Sequence, residues 1–142
     1  MFSPAPPADV SRLPLPVRLL AIVLVTWVPF SMGVEASSGL ARLLAYGVPA
    51  IALLLARVAV AGLAVAAGRA LWTRQPSALQ LARAWLVLDV AVSAITLATP
   101  FYPSNRLPGG RARDFAITLV VNGACLVYLC ASARVRACWS GR

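Results

Sequence analysis

Four long apolar stretches, separated by short polar segments, make up most of the chain. They run roughly over residues 17–34, 43–67, 79–99 and 115–133. A helix of about 20 mostly apolar residues is long enough to cross the hydrocarbon core of a bilayer. The separating segments "EASSG", "GRALWTRQPS" and "TPFYPSNRLPGGRARD" are rich in Gly, Pro, Ser and Arg, as turns and helix ends are. The pattern therefore predicts four membrane-spanning α-helices.

The composition supports lipid as the solvent of this chain. Hydrophobic residues make up 61% of the 142 residues and charged residues only 12%, whereas soluble domains have about 25% charged residues. A soluble chain of this length could not enclose so much apolar surface. The expected fold is an all-α integral membrane four-helix bundle with antiparallel spans, and residues 1–142 form a single transmembrane domain.

The first apolar stretch has a second interpretation, as a secretory signal peptide. It ends in a small-x-small sequence at residues 34–36, after which Ser37 would be the new N-terminus. Cleavage would leave three spans. The apolar run is long for a signal-peptide core, which favours a first span.

The distribution of arginine predicts the orientation of the spans. All 13 basic residues are arginines, and basic loops tend to remain in the cytoplasm. If both termini are cytoplasmic, eight arginines lie on the cytoplasmic side and four on the other side. The distribution therefore favours cytoplasmic termini. The charges flank apolar spans instead of forming one patch. We therefore expect these arginines to set the topology and to contact anionic lipid, and we expect no nucleic-acid partner. The expected location is a bacterial inner membrane, crossed several times.

Arg57 stands alone among Ala, Leu, Val and Gly in the second span, where an isolated charge costs at least ~2.5 kcal/mol on insertion scales. Of the four acidic residues, Asp89 is the only one well inside a predicted span, whereas Glu35 is expected at the outer mouth. Counted from Gly68, Arg57 lies about 17 Å above the inner end of its span, and Asp89 lies about 15 Å above Leu79. The two groups are therefore predicted to form an intramembrane ion pair.

Helical spacing places small residues beside Arg57 and hydroxyls beside Asp89. Ala61, Ala64 and Gly68 share the face of Arg57 and would let another helix approach closely. Ser93 and Thr96 share the face of Asp89. Three interpretations stay open: a purely structural ion pair, a site for a proton or an ionic solute at Asp89, and an Arg57 that extends towards the membrane surface without pairing.

Other polar or helix-breaking residues within the spans are few. Asn122 shares a face with Thr118 and could join helices through an amide hydrogen bond or, alternatively, bind a ligand. Pro29 is expected to kink or locally break the first span. The chain has no His, its three cysteines follow no metal-binding spacing, and no catalytic grouping is visible. We therefore expect no enzyme activity, no metal and no cofactor.

The C-terminal stretch "YLCASARVRACW" resembles the C-terminal signature of an uncharacterised family of small four-span bacterial membrane proteins. Those proteins close with Tyr, a short apolar gap, Ser-x-Arg-Val-Lys/Arg and an aromatic residue. The resemblance implies a four-span fold in a membrane and no particular activity. The matching residues here are Tyr128, Ser132, Arg134, Val135, Arg136 and Trp139.

Two functions follow from these observations. The first is a non-catalytic interaction or accessory subunit, whose helix faces contact a larger membrane protein. The second is a minimal transporter of a small solute or protons, acting as a homodimer and using Arg57 and Asp89. In both cases the lipid bilayer surrounds the protein.

Overall fold

The computed structural model describes residues 13–45, 47–99 and 110–140, and the regular secondary structure in this part of the chain is entirely helical. Helices account for nearly all of it. The helices, in chain order, are α1 (Leu15–Ile22), a π-helical segment (Val23–Trp27), α2 (Val28–Ala45), α3 (Val48–Trp72), α4 (Ala78–Ala98), α5 (Gly110–Ala131) and α6 (Ala133–Ser140).

The first three of these elements form one uninterrupted helix, which we call the first helix. Pro29 has no N–H group, and its ring clashes with the carbonyl one turn earlier in an α-helix. The π-helical turn before it widens the backbone, and the N–H of Val28 bonds the carbonyl of Val23, five residues back. The break predicted at Pro29 is therefore limited to one π-helical turn. The predicted end near Val34 is wrong, because the helix continues through "EASSG" to Ala45.

Both ends of α3 differ from the prediction of residues 43–67. Gly47, with φ of 78°, precedes the helix, and a proline occupies its first turn, so α3 begins only at Val48. The helix then continues to Trp72. At that end the N–H of Gln75 bonds the carbonyl of Ala70 at 2.9 Å, in a Schellman motif that places Arg74 in the left-handed region at φ 53°.

The remaining helices lie closer to their predicted ranges. α4 begins and ends within one residue of the prediction, whereas α5 begins at Gly110, five residues before its predicted start. The sequence "GRARD", expected in a loop, forms the first turn of α5. Ser132 interrupts the helix after Ala131, and the short α6 follows.

The buried core lies at one end of the helices. Fourteen buried residues form a single cluster there, contributed by the start of the first helix, the end of α3, the start of α4, the end of α5, and α6. Buried alanines of α3 let the first helix approach closely, as predicted from the small-residue face. The largest fully buried side chains are Leu24, Leu71, Leu86, Leu129, Val17 and Val135.

Four helices in the described part of the chain are long and apolar enough to cross a membrane: Leu15–Ser37 of the first helix, and α3, α4 and α5. At most 22% of the residues in the most apolar part of each helix are buried within the protein. Large apolar side chains consequently cover the outside of the helices, which is the arrangement expected of a surface in contact with hydrocarbon.

Candidate functional site

Arg57 pairs with Glu35, which joins α3 to the first helix. The Nη2 atom of Arg57 lies 2.7 Å from Oε2 of Glu35, and the two side chains are 23% and 32% exposed. At this distance the two opposite charges are in direct contact, as in an ion pair. Glu35, which the sequence placed at the outer mouth of the first span, is therefore the anionic partner of Arg57.

Asp89 has a different partner, on α5. Nδ2 of Asn122 on α5 donates a hydrogen bond of 2.7 Å to Oδ2 of Asp89. Asn122 is the only buried polar or charged residue among those the structure describes, and 7% of its surface is exposed. Asn122 was predicted to link two helices by an amide hydrogen bond, and the structure shows this bond, with Asp89 as the acceptor.

The predicted direct contact between Arg57 and Asp89 is replaced by these two separate contacts. Arg57 still lies close enough to Asp89 for their charges to interact. The depth comparison failed because α3 ends at Trp72 and not at Gly68. Measured from the short connection between α3 and α4, Arg57 is then about 22 Å along its helix and Asp89 about 16 Å along its own.

The first helix is longer than predicted, and its length explains why Glu35 is the partner of Arg57. Because this helix does not end at Val34, Glu35 is part of a continuous helix that packs against α3. A guanidinium on a long flexible side chain can extend along the helix to reach such a carboxylate. Arg57 is therefore paired with a protein carboxylate, although not with the one that the sequence favoured.

Four helices thereby contribute one polar group each to two contacts. Glu35 on the first helix pairs with Arg57 on α3, and Asn122 on α5 donates to Asp89 on α4. We call these four residues the polar network. Its members are two carboxylates, one guanidinium and one amide.

The other predicted polar residues are peripheral to this network. Thr96 donates a 2.7 Å hydrogen bond to the carbonyl of Val92 in its own helix, so it does not link helices. Ser93 and Thr118 are half-buried.

Two further contacts, which the sequence did not predict, hold the C-terminal part of the chain to the packed end. Nη2 of Arg83 on α4 donates to the carbonyl of Leu129 at 3.1 Å. This carbonyl lies in the last turn of α5, where carbonyl groups have no N–H donor within the helix. Nε1 of Trp139 on α6 donates to the carbonyl of Gln75 in the α3–α4 connection at 3.0 Å.

These contacts give a structural context to the C-terminal signature. Tyr128 is half-buried beside the core, Ser132 lies at the break between α5 and α6, and Val135 is fully buried. The side-chain Oγ of Ser132 accepts a hydrogen bond from the N–H of Val135 at 3.4 Å, as a residue at a helix N-terminus does. The side chains of Arg134 and Arg136 lie outside the described part of the chain.

An aromatic pair lies on the outside of the first helix. The rings of Trp27 and Phe30 are 6.1 Å apart between centroids, and each residue is 63% exposed. Trp27 is 12 residues from Leu15, or about 18 Å along the helix. It therefore lies near the middle of the apolar segment of the first helix.

The described residues include no group of three or more His, Cys, Asp or Glu side chains that could hold a metal ion. Cys125, Cys130 and Cys138 are free thiols. Comparison of the chain with protein-family models, with curated proteins and with solved structures found no match.

Proposed function

We propose that the protein is a multi-pass protein of a bacterial inner membrane, with four antiparallel spans and both termini in the cytoplasm. Four apolar helices of sufficient length support this proposal. The core cluster joins the starts of two of these helices to the ends of the other two, as alternating directions require. Arg69, Arg74 and Arg83 lie near this packed end, which we therefore assign to the cytoplasmic side.

Within the membrane, the protein acts as a non-catalytic accessory subunit that binds a larger membrane protein through its first helix. The observation that supports this function most strongly is the exposed Trp27–Phe30 pair at mid-span. Aromatic side chains supply much of the binding energy at protein interfaces. A tryptophan in this position also has a polar group that lipid tails cannot satisfy.

The chemistry of the indole group indicates the kind of partner. Among the described residues, the N–H of Trp27 has no hydrogen-bond acceptor. Hydrocarbon offers no acceptor either, so an unsatisfied donor is unfavourable there. A transmembrane helix of a partner protein can offer a hydroxyl, an amide or a free carbonyl at this depth. We therefore assign the face around Trp27 to a protein helix and not to lipid.

Site-specific photo-crosslinking in the native membrane tests this assignment. A photoreactive residue at position 27 is expected to give a stoichiometric adduct with one heterologous membrane protein, and Trp27→Leu should abolish co-purification of that protein. The control position is Val127 on α5, which is 65% exposed and should give no such adduct. An adduct only with a second copy of this chain would contradict the accessory function and indicate a homodimer.

A second function, a minimal transporter of a small solute or protons, is supported by the polar network. Ionisable residues within membrane spans commonly mark ion or solute pathways. Purified protein reconstituted alone in vesicles would then show pH-dependent solute flux that disappears in Asp89→Asn. The matched control, Thr96→Val on the same face of α4, should retain the flux. Absence of flux in the unmodified protein would leave only the accessory function.

A further inference from the structure

The halves of α4 and α5 that lie away from the core are loosely packed. Beyond Leu86 on α4 and before Leu129 on α5, Asn122 is the only buried residue that the structure describes. The other polar side chains on the facing sides of these two halves are half-buried. A small ligand can therefore reach them.

Two contacts fix how α4 and α5 are aligned. Arg83 donates to the carbonyl of Leu129, and Asp89 accepts a hydrogen bond from Asn122. The contacts thus advance along α4 while they go back along α5. The next pair in this register lies one helical turn, about 6 Å, further from the core on each helix.

This next pair consists of Ser93 and Thr118. Each lies four residues from Asp89 or Asn122, and therefore on the same helix face. Neither hydroxyl has a hydrogen-bond partner among the described residues. The hydroxyl of Thr96, by contrast, bonds a carbonyl of its own helix, as hydroxyls in helices commonly do. Ser93 and Thr118 are thus free to bind a ligand.

Asp89 and Asn122 also have acceptor atoms to offer. Oδ2 of Asp89 accepts the hydrogen bond from Asn122, whereas Oδ1 of Asp89 has no donor in the described part of the chain. An ionised carboxylate has about four lone-pair sites. The side-chain oxygen of Asn122 likewise has no described partner. Two helices therefore supply four oxygen ligands, and only one of them belongs to a charged group.

We infer that these oxygen atoms form a binding site for a small monovalent cation, Na⁺ or ammonium, and we call it the cation site. Carboxylate, amide and hydroxyl oxygens suit hard cations. A single carboxylate balances a single positive charge, whereas a divalent ion would keep a charge without compensation in apolar surroundings. The absence of His and of paired cysteines, from which the sequence predicted no metal, does not bear on such a site. Its members are Asp89, Asn122, Ser93 and Thr118.

The charges from the neighbouring helices decide the sign of the ligand. Arg57 lies close enough to Asp89 for its positive charge to oppose a cation. Glu35 lies 2.7 Å from Arg57 and offsets that charge. The two carboxylates and one guanidinium of the polar network leave one negative charge in excess. A cation therefore fits the site better than an anion does.

This inference deepens the second proposed function and rests on it for the role of the cation, as the transported solute or as a coupling ion. Binding itself is a property of the isolated chain, so it can be measured without flux. Cation binding without flux would count against the transporter and leave the cation site in place.

Thermal unfolding of the purified full chain in mild detergent provides the test. NaCl or NH₄Cl replaces N-methylglucamine chloride stepwise at constant ionic strength, because the N-methylglucamine cation is too large for the site. A ligand bound only by the folded state raises Tm with its concentration. We expect a saturable rise with Na⁺ or ammonium in the native protein and none in Asp89→Asn. A native protein whose Tm responds to neither cation would overturn the inference.

A pair of threonine substitutions keeps the inference testable if Asp89→Asn does not fold. Thr118→Val removes a free hydroxyl and should weaken the apparent cation affinity at least about threefold, the loss of one polar contact. Thr96→Val is the matched control, because its hydroxyl is already bonded to the carbonyl of Val92 at 2.7 Å, and should leave the affinity unchanged. Equal affinities in the two variants would show that Thr118 does not bind the cation, and the site as assigned would be wrong.

Discussion

Arg57 and Glu35 join α3 to the first helix through a contact of 2.7 Å between Nη2 and Oε2. Asp89, the carboxylate that the sequence favoured, is held instead by Asn122 on α5. The polar groups in the apolar spans are thus divided between two contacts, and each contact ties together a different pair of helices. This division determines which substitutions should compensate for one another.

The first prediction concerns the Arg57–Glu35 pair. Arg57→Leu and Glu35→Leu should each lower Tm in detergent, because each removes the ion pair that joins α3 to the first helix. Removal of one member of a fully buried pair costs ~3–5 kcal/mol, and partial exposure of both side chains should make the loss here smaller. The double substitution should recover most of the loss, since two apolar residues can replace a buried ion pair.

The corresponding double variant with Asp89 distinguishes this pairing from the one that the sequence predicted. Arg57→Leu combined with Asp89→Leu should recover less stability than Arg57→Leu combined with Glu35→Leu. Thermal unfolding followed by circular dichroism gives both values. Greater recovery with Asp89→Leu would favour the pairing predicted from the sequence over the contact in the structure.

The second prediction concerns the amide contact across α4 and α5. Asn122→Leu removes the 2.7 Å donor to Asp89, and loss of a partner from a group shielded from water costs about 1–3 kcal/mol. Asn122→Leu together with Asp89→Leu should be more stable than Asn122→Leu alone. Gly123→Ala is the control, because a methyl group there would meet no atom within 4 Å. Additive effects of the two leucine substitutions would argue against the contact.

The sequence predicted four apolar helices because hydrophobic length is a strong local signal, and these helices are present. It also identified Asn122 as a residue that links helices and Gly68 as a close-approach position. The end of the first helix was wrong because Gly, Ser and Glu in "EASSG" were taken as a break. Glu is a good helix former, and Ser and Gly lower helix stability only modestly. The sequence that follows, "LARLLA", is rich in strong helix formers.

The identity of the partner of Arg57 could not be derived from local patterns. It depends on where each helix ends, since four additional residues at the end of α3 move Arg57 by about 6 Å relative to Asp89. The signal that could have identified Glu35 is the stretch between Pro29 and Gly47, which contains no proline. A helix continuing through this stretch makes Glu35 a second carboxylate within reach.

The third prediction concerns the backbone after α3. Arg74 adopts φ of 53° at the position of the Schellman motif that glycine usually occupies. Arg74→Gly should therefore be more stable than Arg74→Ala by about 1 kcal/mol, because both residues must adopt the left-handed conformation and only alanine has a Cβ atom that makes it unfavourable. Comparing two variants that both lack the arginine side chain removes the contribution of its contacts. Equal Tm values for the two variants would contradict the strain at this position.

The last prediction concerns the contact between α3 and the first helix at Gly68. A Cβ atom at this position would lie 2.7 Å from Cγ2 of Val25, and 3.0 Å from both the carbonyl oxygen of Ala21 and Cβ of Leu24. One of these neighbours is backbone, which cannot move aside without shifting the helix. Gly68→Ala should consequently destabilise the protein by about 1–3 kcal/mol, the usual cost of overpacking.

Gly62, six residues earlier on α3, is the matched control for Gly68. A Cβ atom there meets nothing within 4 Å, so Gly62→Ala should be neutral or stabilise the helix by up to about 1 kcal/mol through its higher helix propensity. The same helix thus contains one glycine required by close packing and one that is not. Thermal unfolding of both variants in the same detergent measures the difference. If Gly68→Ala were as stable as Gly62→Ala, the first helix would not pack against α3 as closely as the structure describes.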